Sequence, residues 1–358
     1  MWEVSSGIAS RTAITLFYTL QLIGSAKGRG SRVAIQDRNS AAPSGAGRPV
    51  WRVFKSRSAF RLGSLALWAL AVPSHLFPAE SATVIILGSG TPIPDALSSG
   101  PAVAIVAGGQ AYLFDAGAGL VRRAEEAAER YRMAALAAPN LTRLFLTHLH
   151  SDHTLGYADV ILTTWVVGRR EALEVYGPKG TAGMTEHLKL AYRDDIEVRT
   201  HGLEHLDTEG LRVNVHEISA GPVYRDAHIS VRAIPVLHGS WPQAFGYAVE
   251  AGGRTIVLSG DTSPCPAIEQ ACQGCDVLVH EVYSAVRFAR LSPGAQKYHG
   301  SFHTSTSELA AIATRSKPKL LVLYHQMYFG PREGVDLEKE IRQGYSGKVV
   351  SSRDLDSF

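Results

Sequence analysis

The chain has 358 residues, 45% hydrophobic and 19% charged, with a mean hydropathy near zero. These values fit a soluble globular protein with a buried core, and they exclude a disordered chain, a multi-span membrane protein and a collagen-like repeat. The net charge of +3 is unevenly placed: residues 1–61 hold ten lysines and arginines against Glu3 and Asp37, a balance of +8, which leaves −5 for residues 62–358. That larger part is mildly acidic, so its composition gives no support for a nucleic-acid partner. The cysteines, Cys265, Cys272 and Cys275, are too few for a disulfide framework.

Residues 25–58 are rich in Gly, Ser, Arg and Ala without an apolar period, the texture of an unstructured segment. The apolar run Ile14–Ile23 is too short to span a bilayer. Lys55, Arg57 and Arg61 then precede the apolar run Leu62–Val72, Pro73, Pro78 and the small residues around Ser81-Ala82. A basic, then apolar, then small-residue order is the pattern of an export signal. It predicts a periplasmic or secreted protein whose mature chain begins near Ala82, with translation starting downstream of residue 1. The alternatives are a cytoplasmic chain with a disordered leader and a chain anchored to a membrane through residues 55–81. The domain division follows: a leader over 1–81 and one domain over 82–358.

From Ala82 the pattern is that of folded elements. Thr83–Leu87 reads as an apolar strand ending in Gly88-Ser89-Gly90. Ala102–Val106 and Ala111–Phe114 read as a hairpin around Gly108-Gly109, as the glycine turn requires. The Ala/Glu/Arg-rich stretch Leu120–Leu136 predicts a helix, and Leu141–Thr147 and Leu173–Tyr176 predict strands. Gly246–Glu250 and Thr255–Leu258 form a second glycine-turn hairpin, followed by buried strands at Asp276–Val279 and Lys319–Tyr324. Ser305 and Glu308 have capping-box spacing and open a helix over Leu309–Arg315. Hairpins followed by strand–helix alternation, in each half, predict an α/β fold: an αββα sandwich of two mixed sheets with helices on the outer faces.

The chemistry begins at His148-Leu149-His150-Ser151-Asp152-His153, directly after a predicted strand. His148 and His150 can point the same way from extended chain, while Asp152 and His153 can aim at a neighbouring position. Imidazole and carboxylate together suit zinc, and such a cluster can hold two ions. This His-x-His-x-Asp-His run resembles the signature of the metallo-β-lactamase fold superfamily, over roughly residues 82–330. Further motifs are similar to its ribonuclease Z-like branch: His238 in Pro235-Val-Leu-His-Gly, Asp261 in Ser259-Gly-Asp-Thr, His325 in Leu323-Tyr-His, Gly88-Ser-Gly90, Asp115, His280-Glu281 and His303-Thr-Ser305. The resemblance implies one metal on His148, His150 and His238, another on Asp152, His153 and His325, and Asp261 bridging them. It implies two Zn²⁺, with Mn²⁺ or Fe²⁺ as alternatives, and a hydrolase using a metal-bridging hydroxide on phosphodiesters or small esters. Asp152 would orient the nucleophile or take its proton, and His303 would act at the leaving oxygen or the substrate anion.

Arylsulfatase, lactonase and β-lactamase activities are alternatives on the same scaffold, and a non-catalytic metal-binding module is the reading from another class. Ribonuclease Z proper carries an inserted arm that grips tRNA; here Gly246–Asp261 runs through on a two-glycine turn. The expected partner is therefore a small ester or phosphodiester rather than a stably bound nucleic acid, with a homodimer left open. His280, Glu281 and Asp115 are expected to hold ligands or loops by hydrogen bonds. His187, His201, His205, His216, His228 and His299 have no ligand context and are expected at the solvated surface. Cys272-Gln-Gly-Cys275 lacks the second pair a zinc site needs and reads as structural or incidental.

Overall fold

The computed structural model describes residues 81–358; the expected leader and export signal lie outside them. Six strands form the first sheet in chain order: β1 (Thr83–Gly88), β2 (Ala102–Ala107), β3 (Gln110–Phe114), β4 (Arg143–Phe145), β5 (Leu173–Gly177) and β6 (Val213–Glu217). The second sheet runs in reverse chain order, from β13 (Val349–Ser351) through β12 (Leu321–Met327), β11 (Val277–Tyr283), β10 (Arg254–Leu258), β9 (Phe245–Ala251) and β8 (Ile229–Pro235) to β7 (Gly221–Arg225). Both sheets are mixed: antiparallel in their hairpins, then parallel where helices make the crossovers. The helices are α1 (Leu120–Tyr131), α2 (Ser151–Thr154), α3 (Tyr157–Val166), α4 (Thr181–Ala191), α5 (Arg193–His201), α6 (Pro266–Ala271), α7 (Ala285–Phe288), α8 (Pro293–Phe302), α9 (Thr306–Ser316) and α10 (Leu337–Ile341). Among the described residues no helix is long and apolar enough to cross a membrane.

The alternation of strand residues explains the layers, since successive side chains face opposite ways. In β1, Ile85 and Leu87 join the cluster packed on α1 and α3, while Val84 and Ile86 join the one between the sheets. That middle cluster interleaves Phe114 and Phe145 with Tyr247, Val279 and Tyr324. A third cluster sets Val257, Leu278, Leu321 and Leu323 against Ile268 of α6, Leu309 of α9 and Ile341 of α10. Three apolar layers between four structural ones make the expected αββα sandwich.

Several expected bounds shift for local reasons. The first helix stops at Tyr131, because Arg132 takes a left-handed cap (φ 54°) and the chain turns to bring Leu136 into the core as a short 3₁₀ turn. The strand after it pairs only over Arg143–Phe145, since the residues beyond depart into the ligand loop. Around Ser305 the capping box forms as read, with Ser305 and Glu308 each holding the other's backbone N–H. Cys272 and Cys275 are joined by a disulfide buried in the third cluster, which makes the pair structural.

Candidate metal centre

The candidate ligands other than His325 stand beyond the C-terminal ends of strands: His148, His150, Asp152 and His153 after β4, His238 after β8 and Asp261 after β10. Asp115, at the end of β3, accepts hydrogen bonds from the Thr147 N–H (2.8 Å) and hydroxyl (3.0 Å), and so fixes the loop entering His148. Its second oxygen lies 2.8 Å from His153 Nδ1, which turns His153 Nε2 inward. His148 Nδ1 is 2.9 Å from the Thr147 hydroxyl and His238 Nδ1 is 2.9 Å from the Phe302 carbonyl, so these rings also point Nε2 inward. Anchoring the outer nitrogen in this way fixes ring orientation and tautomer. His325 lies within β12 rather than after it: Glu281 pairs with Tyr324 and Val282 with Gln326, so His325 is the extra residue of a bulge at φ 42°. A bulge re-aims one side chain without ending the strand.

Two sets of ligand atoms result. In the first, His150 Nδ1 lies 2.9 Å from His148 Nε2 and 3.0 Å from His238 Nε2. In the second, His325 Nε2 lies 3.2 Å from Asp152 Oδ2, and His153 Nε2 lies 3.5 Å from the same oxygen. Asp261 Oδ2 is 3.3 Å from His153 Nε2 and 3.5 Å from His325 Nε2, and Asp261 also falls within 4.8 Å of the first set. His153 Nε2 and Asp261 Oδ1 are buried without a hydrogen-bond partner. Buried polar atoms that converge unpaired on one point are costly unless a ligand meets them, and imidazole plus carboxylate is a donor set for a divalent transition metal. The residues fit the pair of ions that the resemblance implies.

The charge states agree with that fit. Burial lowers His148 and His150, and it brings His238 down to about 4, so these rings are neutral and free to donate lone pairs. Burial opposes charge on Asp261 and Asp152, yet His325 and His153 hold both below the usual carboxylate range. Burial likewise opposes charge on His153 and His325, but Asp261 with Asp115, and Asp261 with Asp152, outweigh it and keep both rings above the usual imidazole range. A cation entering the second set displaces those protons. Loading is therefore expected to release protons, and affinity should rise with pH. Calorimetry in buffers of different ionisation enthalpy measures the release; loading without it would contradict this electrostatic assignment.

His303 follows α8, with Nδ1 3.5 Å from Glu281 Oε2 and 4.0 Å from Asp261 Oδ2. Its ring centre is 5.3 Å from that of His238 and 5.7 Å from that of His325, so it faces both sets. Burial lowers it to about 4, and it enters the site as neutral imidazole. Asp261, His303 and His325 also satisfy the spacing of a ligand triad, an alternative to the role the sequence suggests. Glu281 is fully buried, and its Oε1 accepts the N–H groups of Thr262 (3.3 Å) and Thr304 (2.8 Å), tying the Asp261 loop to the His303 loop. His280 does not reach a ligand: its Nδ1 meets the Glu281 carbonyl and its Nε2 has no partner.

Of the remaining histidines, five are exposed as expected, but His299 is half-buried against Phe329, with a ring-centre distance of 4.6 Å. One turn of helix before His303, it faces the body rather than solvent. Trp241 has a contact that the sequence does not announce: its indole N–H donates to His150 Nε2 at 2.7 Å. Indole only donates, so in this arrangement the neutral ring's proton sits on Nδ1. A cation held through Nδ1 would require that proton on Nε2, and the indole would then have to turn aside.

The model of the Beta-lactamase superfamily domain matches residues 110–326. Ribonuclease Z of Mycobacterium bovis (strain BCG / Pasteur 1173P2) is 33% identical over 277 residues, covering 76% of this chain and 96% of that protein. Among solved structures, the metallo-beta-lactamase fold protein YhfI from Bacillus subtilis superposes with a TM-score of 0.58 at 18% identity, covering 77% of this chain and 98% of that one. Human tRNase Z, short form, superposes with a TM-score of 0.55 at 24% identity, covering 77% and 98%; both structures share the fold. The chain belongs to the metallo-β-lactamase fold superfamily, in its ribonuclease Z-like branch, and is a metal-dependent hydrolase.

Proposed function

We propose that the chain is a binuclear zinc hydrolase acting on phosphodiesters or small esters. The observation that supports this most is the pair of ligand sets meeting at Asp261. Divalent cations there would supply Lewis acidity, neutralising developing charge and lowering the pKa of bound water to about 7. Asp152 places a carboxylate oxygen beside the second set, where it orients the attacking water or takes its proton. His303 faces both sets from the other side, where it contacts the leaving oxygen or the substrate anion. Glu281 holds the two loops that position Asp261 and His303, and the half-buried His150 marks the open side of the site.

Pre-tRNA processing is the second reading, favoured by the relative named Ribonuclease Z at 33% identity. The match covers 96% of that relative, so the short Gly252-Gly253 turn does not separate this chain from it. What supports the small-substrate reading is charge, since residues 62–358 carry −5 whereas RNA binding needs phosphate-neutralising cations. The deciding experiment compares bis(p-nitrophenyl) phosphate with pre-tRNA, using purified protein after chelation and after zinc reconstitution. Zinc-dependent hydrolysis of the small diester with little pre-tRNA trimming is expected; accurate, efficient trimming would overturn the substrate assignment. Export remains part of this proposal, supported by the basic–apolar–small order over Lys55–Ala82.

A further inference from the structure

The open side of the site carries a row of aromatic side chains. The Phe302 ring centre lies 5.0 Å from that of His238 and 6.3 Å from that of His150, inclined 28° to the latter. Tyr298, one turn earlier on α8, lies 4.7 Å from Phe302 and is 53% exposed. Gly239 fixes the inner ring: at φ 52° its backbone passes so close that a β-carbon would stand 2.1 Å from Phe302. Trp241 stands edge-on to His150, with ring centres 5.0 Å apart. Leu237 and Leu155, each within two residues of a candidate ligand, are 58% and 66% exposed. Ring-bearing side chains exposed beside a metal centre gain by covering a planar apolar group, and stacking adds to the area term.

We infer that the Tyr298–Phe302 face is a specificity subsite, and that it takes a planar aromatic group carried on the ester whose anionic centre meets the metals. The inference rests on the hydrolase reading above but does not depend on turnover. Two sources share this chemistry, a simple aryl ester and a nucleobase. Tyr298 and Phe302 act here on binding, and the reacting atoms belong to the ligand set and His303.

The test is equilibrium binding of phenylphosphonate and methylphosphonate to the zinc-reconstituted full chain, followed by calorimetry. Phenylphosphonate should bind about ten-fold more tightly. Tyr298→Ser, at an exposed position, should reduce that ratio, and Tyr298→Ser with Phe302→Leu should bring it close to one while zinc content stays that of the parent. Comparing adenosine 5′-monophosphate with ribose 5-phosphate separates the sources: a preference for the former assigns the face to a base, and equal binding assigns it to simple aryl groups. Equal binding of the two phosphonates to the parent would overturn the subsite, as would an undiminished ratio in the double variant. A phenyl preference without hydrolysis of any ester would support the subsite and contradict only the proposed activity.

Discussion

Asp261→Ala is expected to lower both metal occupancies at once and to reduce ester hydrolysis by about 10³-fold or more. The reason is geometric. Asp261 Oδ2 stands 3.3 Å from His153 Nε2 and 3.5 Å from His325 Nε2, and the same residue completes the His148, His150 and His238 group. It is also the buried carboxylate that the second-set histidines hold below its usual range, so its removal leaves those rings without their main counter-charge. His325→Ala, by contrast, should weaken chiefly the second set. Elemental analysis of the two variants beside the parent reads the difference, and selective loss of one metal from the Asp261 variant would remove its bridging role.

His303→Ala should give the opposite pattern: hydrolysis falls by roughly 10²–10⁴-fold while metal content is retained. The ring faces both sets, with Nδ1 4.0 Å from Asp261 Oδ2 and 3.5 Å from Glu281 Oε2, close enough to act on a bound ester. A loss confined to kcat, steepest for esters with poor leaving groups, marks a hydrogen bond from the neutral ring to the leaving oxygen. Loss concentrated in KM marks contact with the substrate anion. Because Asp261, His303 and His325 also lie within ligand spacing, the metal assay carries the discrimination, and a matching loss of zinc would make His303 a ligand instead.

The sites that were legible in sequence share a physical cause. Metal ligands must converge from separate elements, so they sit where apolar strands end, and His148, His150, Asp152, His153, His238 and Asp261 all carry that mark. His325 carries it only partly, because a bulge inside β12 rather than the strand end aims the ring. The buried strands β1, β3, β9, β10 and β11 read directly from their apolar runs. Strands β6 and β7, Val-Asn-Val-His-Glu and Gly-Pro-Val-Tyr-Arg, did not, since both lie at sheet edges and bury little. Helix α5 buries no residue at all, so no apolar stripe announces it. Arginine is seldom fully buried, yet Arg169 is buried and donates to the Thr164 hydroxyl and the Ile161 carbonyl of α3. Trp241 is not announced by the sequence, because an indole hydrogen bond to His150 leaves no trace in spacing.

The most direct test of a binuclear centre is the number of ions per chain. Protein stripped with chelator, reconstituted with zinc and freed of excess by gel filtration should carry two zinc ions per chain by elemental analysis, as two ligand sets joined by Asp261 require. A plateau at one ion, or at traces only, would contradict the binuclear account.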